Sequence, residues 1–285
     1  MKAFIKKHSV LTYFALAFAI SWGGILLVIG GPGAIPTPDE QAMKLLPVAI
    51  MVMVLGPSVA GILLIGLVYG RAGFREFLPR LLRWRVNARW YAVALLTAPI
   101  LIAAILFAFS LTSPAYIPGI VSTNDKAVLL ISGIAAGLAA GIFEELGWTG
   151  FATPQLRLRY GILTSGLILG FLWGAWHFLV TFWGSGDSSG GLSLDLLLPP
   201  LVFYVGVLPA YRVLMVWVYD RTQSLFVVML MHATLTATTN FILSPPVRGI
   251  PLMTYYIVLA AALWVVISSI AETKSRPLSR QQLPR

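Results

Sequence analysis

The sequence predicts an all-α, polytopic membrane protein with about eight transmembrane helices. Hydrophobic residues make up 58% of the 285-residue chain and charged residues only 11%, a balance that excludes an ordinary soluble domain. Eight apolar stretches follow one another, each near the ~20 residues that a helix needs to cross a bilayer core. The stretches are residues 10–30, 45–69, 89–112, 128–148, 162–183, 196–218, 223–243 and 251–271.

The first three stretches form an N-terminal part, residues 1–126. The first follows a basic tail as a signal peptide would, but its apolar run is too long, so we expect a retained helix. Between the second and third stretches, residues 71–89 carry six arginines among apolar side chains. This pattern is typical of an amphipathic cytoplasmic helix on anionic lipid headgroups. The alternative is a basic loop with no other role.

Basic residues predict the orientation. If the N-terminus is cytoplasmic, eight spans leave only Lys44, Lys126 and Arg248 of the twenty Lys and Arg residues outside. Cytoplasmic loops carry an excess of basic residues, so we expect both termini inside, with Arg212 among the other seventeen. Topology then explains the net charge of +10, and no nucleic-acid partner is expected. The absence of cysteine excludes disulfides and thiolate chemistry.

The fourth stretch contains the most informative feature, the pair Glu144 and Glu145. Carboxylates inside a membrane span cost several kcal/mol unless they find partners or have a function. Small residues recur every four positions before each glutamate, which lets another helix approach closely, so both should face protein. Since consecutive helical side chains point ~100° apart, one carboxylate should act directly and the other should support it. Residues 147–161, with Pro154 in the middle, should fold back beside the pair.

Two of the three histidines also lie inside apolar stretches. His177 follows Trp173 by one turn, while His232, Thr236 and Asn240 share a face at four-residue steps. A rise of ~1.5 Å per residue puts Glu144 and His232 about 12 Å from the cytoplasmic boundary, but His177 about 20 Å from it. A later helix start, a tilt, or a sloping site would each explain the difference.

Two carboxylates and two imidazoles in a lipid-excluded cavity suit peptide-bond hydrolysis. A carboxylate can take a proton from water while imidazoles bind a metal or an oxyanion. His, His and Glu with water in the fourth position is also an open zinc site. The two-histidine motif of soluble zinc proteases is absent, so any metal ligands would come from separate helices.

Three motifs resemble those of the CPBP (Abi) family of intramembrane proteases. They are the run from Glu144 to Phe151, the segment from Trp173 to His177, and His232, with spacings of 33 residues from Glu144 to His177 and 55 from His177 to His232. The family includes the type II CAAX prenyl endopeptidases and the bacteriocin-processing and immunity proteins. The resemblance covers about residues 127–240.

This resemblance implies roles for the motif residues. Glu144 would activate water with Glu145 beside it, His177 would assist or bind metal, and His232 would bind metal or the oxyanion. Glu144, His177 and His232 would hold a zinc ion if the enzyme is metal-dependent, and the metal-independent alternative stays open. The supporting and oxyanion candidates are Thr236, Asn240, Trp148 and Trp173.

The chain departs from the family pattern at three positions. Thr149 stands where the family usually has arginine, and Arg157 or Arg159 could fold back to replace that cation. Trp173 stands where phenylalanine is common, and Thr236 replaces the usual asparagine or aspartate.

These observations predict an intramembrane endopeptidase that cuts a membrane-anchored or amphipathic peptide or protein. The alternatives are a non-catalytic relative that acts in immunity or peptide binding, and a proton-coupled transporter, against which no inverted repeat is found. We expect one membrane domain in a bacterial or archaeal cytoplasmic membrane, with anionic lipid at its cytoplasmic face. Its parts would be residues 1–126, a catalytic core at 127–243, and a last helix with a basic tail at 244–285. The substrate and the oligomeric state stay open.

Overall fold

The computed structural model describes residues 2–37 and 39–270, and this part of the chain is helical with no β-strand. Within these described residues, eight helices are long and apolar enough to cross a membrane, which confirms the predicted all-α, multi-pass architecture. These spans are Ser9–Ile29, Glu40–Leu81, Ala88–Ser110, Lys126–Arg157, Ile162–Trp183, Leu194–Thr222, Leu225–Ile242 and Gly249–Ser269.

The individual helices are numbered in chain order. They are α1 (Lys2–Lys7), α2 (Ser9–Ile29), α3 (Asp39–Leu64), α4 (Gly70–Leu81), α5 (Ala88–Ser110), α6 (Gly119–Ser122), α7 (Lys126–Gly147), α8 (Thr153–Arg157), α9 (Ile162–Trp183), α10 (Leu194–Val202), α11 (Leu208–Thr222), α12 (Leu225–Ala237) and α13 (Gly249–Ser269). In the part of the chain that the structure describes, four π-helical turns continue these helices, at Ile65–Tyr69, Trp148–Ala152, Phe203–Val207 and Thr238–Ile242. Such turns are frequent at functional sites, and two of them follow helices that carry the predicted site residues.

Alternating helix directions give the bundle two ends. We call the end where α2 begins and α13 finishes the basic face, because the arginines of residues 71–89 lie there. The end that carries loops 30–37, 111–125, 184–193 and 243–248 is called the opposite face. Which face is cytoplasmic stays a prediction, as does the division into three parts.

Two expectations about the basic face were wrong in detail. The predicted amphipathic helix over 71–89 ends at Leu81, and residues 82–87 form an irregular link to α5. Residues 147–157 do not fold back, because α7 continues through a π-helical turn into α8. Pro154 closely follows the π-helical turn, and its ring removes one backbone N–H donor from this continuous helix.

Glycines at four-residue steps allow pairs of helices to approach closely, as the sequence predicts. A Cβ added at Gly141 would lie 2.4 Å from the Met229 carbonyl oxygen, so α7 meets α12 backbone to backbone. A Cβ at Gly170 would lie 2.4 Å from the Pro209 Cα, which joins α9 and α11 in the same way. Small residues allow such approaches inside membranes. These two contacts bring the four helices of the candidate site together.

Candidate active site

Glu145 is the most heavily bonded side chain of the predicted site. It is fully buried and accepts hydrogen bonds from both terminal nitrogens of Arg212, at 2.8 and 2.9 Å. His232 Nδ1 lies 2.7 Å from Oε1 of Glu145, and the Thr149 hydroxyl donates to Oε2. A carboxylate with four polar contacts is held in one orientation, which suits a supporting role.

Arg212 supplies the cation that the first motif lacks. We expected Arg157 or Arg159 to do so, but Arg157 pairs with Asp220 at 2.9 Å and Arg159 lies exposed near the Lys7 carbonyl. Arg212 was expected at the cytoplasmic boundary, yet it is 0% exposed within α11, and its guanidinium lies 4.2 Å from the Trp173 ring centre. One signal marked it, because Arg212 is the only charged residue in the apolar stretch 196–218.

Glu144 has a different environment one residue earlier on α7. One of its oxygens accepts hydrogen bonds from the indole N–H groups of Trp173, at 2.8 Å, and Trp148, at 3.4 Å. His232 Nε2 lies 3.9 Å from the same oxygen. Glu144 is 3% exposed and lines a cavity, whereas Glu145 lies behind it. The two carboxylates thus have different surroundings, and the division into one acting and one supporting carboxylate stays a prediction.

His232 connects the two glutamates through its two ring nitrogens. Glu145 is held as a carboxylate by Arg212, so Nδ1 of His232 carries the proton that it shares with Glu145. The other ring nitrogen, Nε2, lies on the Glu144 side, 3.9 Å from one Glu144 oxygen. The Trp173 ring packs edge-on against the imidazole, with ring centres 4.8 Å apart, and restricts its rotation.

His177 lies one turn farther along α9 than the residue that touches Glu144. Its Nδ1 donates to the Trp173 carbonyl at 2.8 Å, so Nε2 is the nitrogen left for water or a ligand. The ring stacks on Tyr204 and also borders the cavity. This position accounts for the greater depth computed from the sequence: Trp173, four residues earlier, is the α9 residue at the level of Glu144.

Thr236 and Asn240 both line the cavity, but at different distances from the carboxylates. Thr236 lies one turn beyond His232 on α12 and is half-buried. Asn240 is exposed in the π-helical turn that follows α12, about 12 Å along the axis from His232. The structure therefore keeps Thr236 near the site, whereas Asn240 lies toward the opposite face.

A cavity of about 920 Å³ joins these residues to the opposite face of the bundle. Glu144, Trp173 and His232 line its inner end, and most of its wall is apolar. The first half of α3 contributes residues from Ala42 to Val54, so the N-terminal part also shapes the site. Sequence reasoning missed this contribution, because α3 has no polar residue in that stretch after Lys44 to mark it.

The predicted zinc ligands do not converge in this arrangement. Among residues 2–37 and 39–270 no group of three His, Cys, Asp or Glu side chains could hold a metal ion. Glu144 and His232 lie close enough to share an ion, but His177 is turned to the Trp173 carbonyl. The residues thus do not fit the three-ligand zinc site as they lie, and the metal requirement stays a prediction.

The fold and this cluster define a multi-pass membrane protein with a carboxylate and histidine site inside its helical bundle. Residues 126–238 match a family model described as type II CAAX prenyl endopeptidase Rce1-like. A 45-residue stretch is 42% identical to CAAX prenyl protease 2 of Methanococcus maripaludis and covers 16% of this chain and 17% of that protein. The resemblance to the type II CAAX prenyl endopeptidases is therefore confirmed over residues 126–238.

Proposed function

We propose that this protein is an intramembrane endopeptidase that hydrolyses a peptide bond in a membrane-anchored or amphipathic peptide or protein, as CAAX-processing enzymes do. The observation that carries the proposal is the placement of Glu144 and the Nε2 atom of His232, 3.9 Å from one Glu144 oxygen, at the inner end of a large apolar cavity. The match to the Rce1-like family supports the same class of reaction.

Glu144 acts as the general base in this proposal. A water molecule that bridges the Glu144 oxygen and His232 Nε2 would have two groups able to take its proton. The indole N–H groups of Trp173 and Trp148 fix the carboxylate, so it needs no rearrangement before reaction.

The remaining residues orient these two or contact the substrate. Arg212 holds Glu145, and Glu145 fixes the ring of His232. His177 Nε2 and the Thr236 hydroxyl border the cavity where the scissile carbonyl would lie, and the Thr236 hydroxyl can donate to the oxyanion. Asn240, farther out, would contact only the substrate's flanking residues.

Cleavage of a peptide library by the purified protein in proteoliposomes tests the proposal. Glu144→Gln should abolish cleavage while the protein still folds, because the amide cannot accept the proton. Glu40→Gln is the matched control, since Glu40 is an exposed glutamate on α3. A Glu144→Gln protein that cleaves at the wild-type rate would contradict the proposal. Treatment with 1,10-phenanthroline separates the metal-dependent from the metal-independent mechanism.

The non-catalytic alternative is favoured by one observation. Thr236 replaces the family's usual asparagine or aspartate and offers a hydroxyl with a different reach. A protein that only binds peptides or takes part in immunity would keep its binding or protective phenotype in the Glu144→Gln variant. For either function we propose a bacterial or archaeal cytoplasmic membrane, with anionic lipid contacting the arginines of the basic face.

A further inference from the structure

A second, smaller pocket lies at the basic face and shares no lining residue with the large cavity. Its wall is formed by α4, by α8, and by the π-helical turns that follow α3 and α7. Its volume of about 70 Å³ is several times the ~10–15 Å³ that one water molecule needs, so it has room for a small polar group. We call it the basic-face pocket, and its charged and amide side chains are Glu76, Arg80, Gln155 and Gln223.

Arg80 supplies a cation that is held in place but not neutralised. Its Nε donates to the Glu76 backbone carbonyl at 2.9 Å, and its Nη1 donates to the Tyr219 hydroxyl at 2.8 Å. Within residues 2–37 and 39–270, no carboxylate forms an ion pair with this guanidinium. A guanidinium that is oriented in this way and keeps Nη2 for a ligand suits a phosphate oxygen.

Two acceptors in the same wall have no donor. Glu76 precedes Arg80 by one helical turn, a spacing at which the two side chains commonly pair, yet Arg80 bonds the Glu76 backbone instead. Gln223 Oε1 is buried and has no hydrogen-bond partner among the described residues, while its Nε2 donates to the Tyr219 and Asp220 carbonyls. Because a buried acceptor without a donor is costly, the pocket suits a group that brings N–H donors.

The backbone of Gln223 is also unusual. Its φ of 51° is the only positive value at a non-glycine residue in the part of the chain that the structure describes. Glycine would end α11 at a lower cost in this conformation, and strained residues of this kind concentrate at ligand sites. A glutamine at this position therefore indicates a use for its side chain.

The basic-face pocket lies where lipid headgroups meet the protein. On α4, which forms one wall, Leu78 is exposed, and Leu82 and Trp84 just beyond the helix are exposed as well. Exposed apolar and tryptophan side chains among arginines are typical of a segment at the membrane–water interface. The pocket is therefore within reach of the phospholipid headgroups of that leaflet.

We propose that the basic-face pocket binds the headgroup of a phospholipid with a primary amine, of the phosphoethanolamine type. Arg80 binds the phosphate, while the Glu76 carboxylate and Gln223 Oε1 accept hydrogen bonds from the ammonium. The positive and negative charges of the pocket match those of this headgroup, whereas a purely anionic headgroup would leave Glu76 without a cation. A quaternary ammonium has no N–H to donate to Gln223.

A bound headgroup would also contact the turn behind the candidate active site. Gly150 and Phe151, in the pocket wall, belong to the π-helical turn that carries Thr149, and Thr149 bonds Glu145. The lipid should therefore stabilise this turn. Binding requires no peptidase activity, so the lipid site and the proposed function are tested independently.

Native mass spectrometry of the full-length protein in detergent tests the headgroup preference. Lipids with identical acyl chains and phosphoethanolamine, phosphocholine or phosphoglycerol headgroups are titrated in turn. The phosphoethanolamine lipid should bind about tenfold more tightly than either of the others, because only its ammonium donates to Glu76 and Gln223. Equal affinities, or tighter binding of the phosphoglycerol lipid, would overturn the proposal.

Substitutions in the pocket assign the individual contacts. Glu76→Gln keeps the shape of an exposed side chain and should remove most of the preference, as should Gln223→Gly, since glycine adopts a positive φ freely. Arg80→Gln should weaken the phosphoethanolamine and phosphocholine lipids alike, because both contain the phosphate. Arg75→Gln removes an exposed arginine of α4 outside the pocket and should change neither. A preference that survives both Glu76→Gln and Gln223→Gly contradicts the assignment.

Glycerophosphoethanolamine, the same headgroup without acyl chains, distinguishes a lipid from a soluble ligand. It should displace the lipid only at a concentration about a hundredfold higher, because it lacks the apolar contacts of the chains. Equal affinities would overturn the assignment to a lipid. The phosphoethanolamine lipid should also raise the unfolding midpoint of the wild-type protein and of Arg75→Gln, but not that of Glu76→Gln. An equal rise in all three proteins would show binding elsewhere.

Discussion

Arg212 of α11 and Glu145 of α7 meet in a two-bonded ion pair, with nitrogen to oxygen distances of 2.8 and 2.9 Å, and neither side chain is exposed. Sixty-seven residues separate them in the chain. The pair joins α7, which carries the two glutamates, to α11, which carries no motif residue. Through His232, which contacts Glu145, it also reaches α12. The candidate site therefore depends on a cation, Arg212, that lies in none of the three motifs.

We expect Arg212→Leu to destabilise the protein strongly. Removing one partner of a buried ion pair leaves an uncompensated charge and typically costs about 3–5 kcal/mol. The midpoint of thermal unfolding in detergent should fall accordingly. Arg159→Leu removes an exposed arginine and should change the midpoint little.

The double variant Arg212→Leu with Glu145→Leu tests whether Arg212 stabilises the protein through its ion pair with Glu145. Removing both charges should recover much of the lost stability, because no buried charge is left unpaired. If the two substitutions simply add, Arg212 stabilises the bundle by packing and not through Glu145.

We expect Trp173→Phe to lower cleavage while the fold persists. The substitution keeps an aromatic ring beside Arg212 and His232 but removes the N–H that bonds Glu144 at 2.8 Å. Loss of one oriented hydrogen bond to a charged group corresponds to about tenfold or more in kcat. Turnover of a fluorogenic peptide in proteoliposomes measures this change.

Trp183→Phe is the control for that experiment. The ring of Trp183 is buried to the same degree, but its N–H has no hydrogen-bond partner within the described residues. It should therefore retain full activity. Equal losses in the two variants would show that ring packing, and not the bond to Glu144, determines the rate.

We expect Gly170→Ala to destabilise the contact between α9 and α11. The new Cβ would lie 2.4 Å from the Pro209 Cα, a backbone atom that cannot rotate away. Overpacking of this kind costs about 1–3 kcal/mol, more than the gain of about 1 kcal/mol from replacing glycine in a helix. Unfolding midpoints compare it with Gly23→Ala, where no atom lies within 4 Å and the midpoint should hold or rise.

Acid should loosen the loop between α9 and α10. The pKa of the exposed Asp187 carboxylate is lowered below its usual range by hydrogen bonds from the Ser189 hydroxyl and from the Gly191 and Ser189 N–H groups. A depressed pKa means that this support is present above about pH 4 and is lost as the pH falls through the lower, folded value. The hydrogen-exchange protection of residues 186–192, corrected for the intrinsic pH dependence of amide exchange, should therefore fall in acid.

Asp187→Asn separates this effect from general acid unfolding. The amide keeps the shape of the carboxylate but does not titrate, so its loop should exchange at one rate relative to α9 across the acid range. A wild-type loop that shows the same flat profile would contradict the assigned role of Asp187. Because Gly184 and Ser185 border the cavity mouth, the loop's order also affects access to the site.

Much of this fold is contained in the sequence, because a bilayer imposes simple rules. Eight apolar stretches of sufficient length predict eight spans, since backbone groups in lipid must be satisfied within a helix. Glycines at four-residue steps mark the faces that approach most closely, and the contacts of Gly141 and Gly170 confirm them. The pair Glu144 and Glu145, with His177 and His232, stands out because polar groups in lipid are costly.

Helix packing alone decided how those residues are paired. Period and depth placed His177 and His232 near the glutamates, but they could not show that Trp173 reaches Glu144 while His177 lies one turn beyond. They also could not assign Arg212, since positive charge near a span end normally marks the cytoplasmic side. The sequence of a helix determines which face each residue lies on. The partner of that residue depends on which neighbouring helix packs against that face and at what height along the axis. That choice is made by long-range contacts, so only the tertiary structure gave Glu145 its cation and Glu144 its cavity.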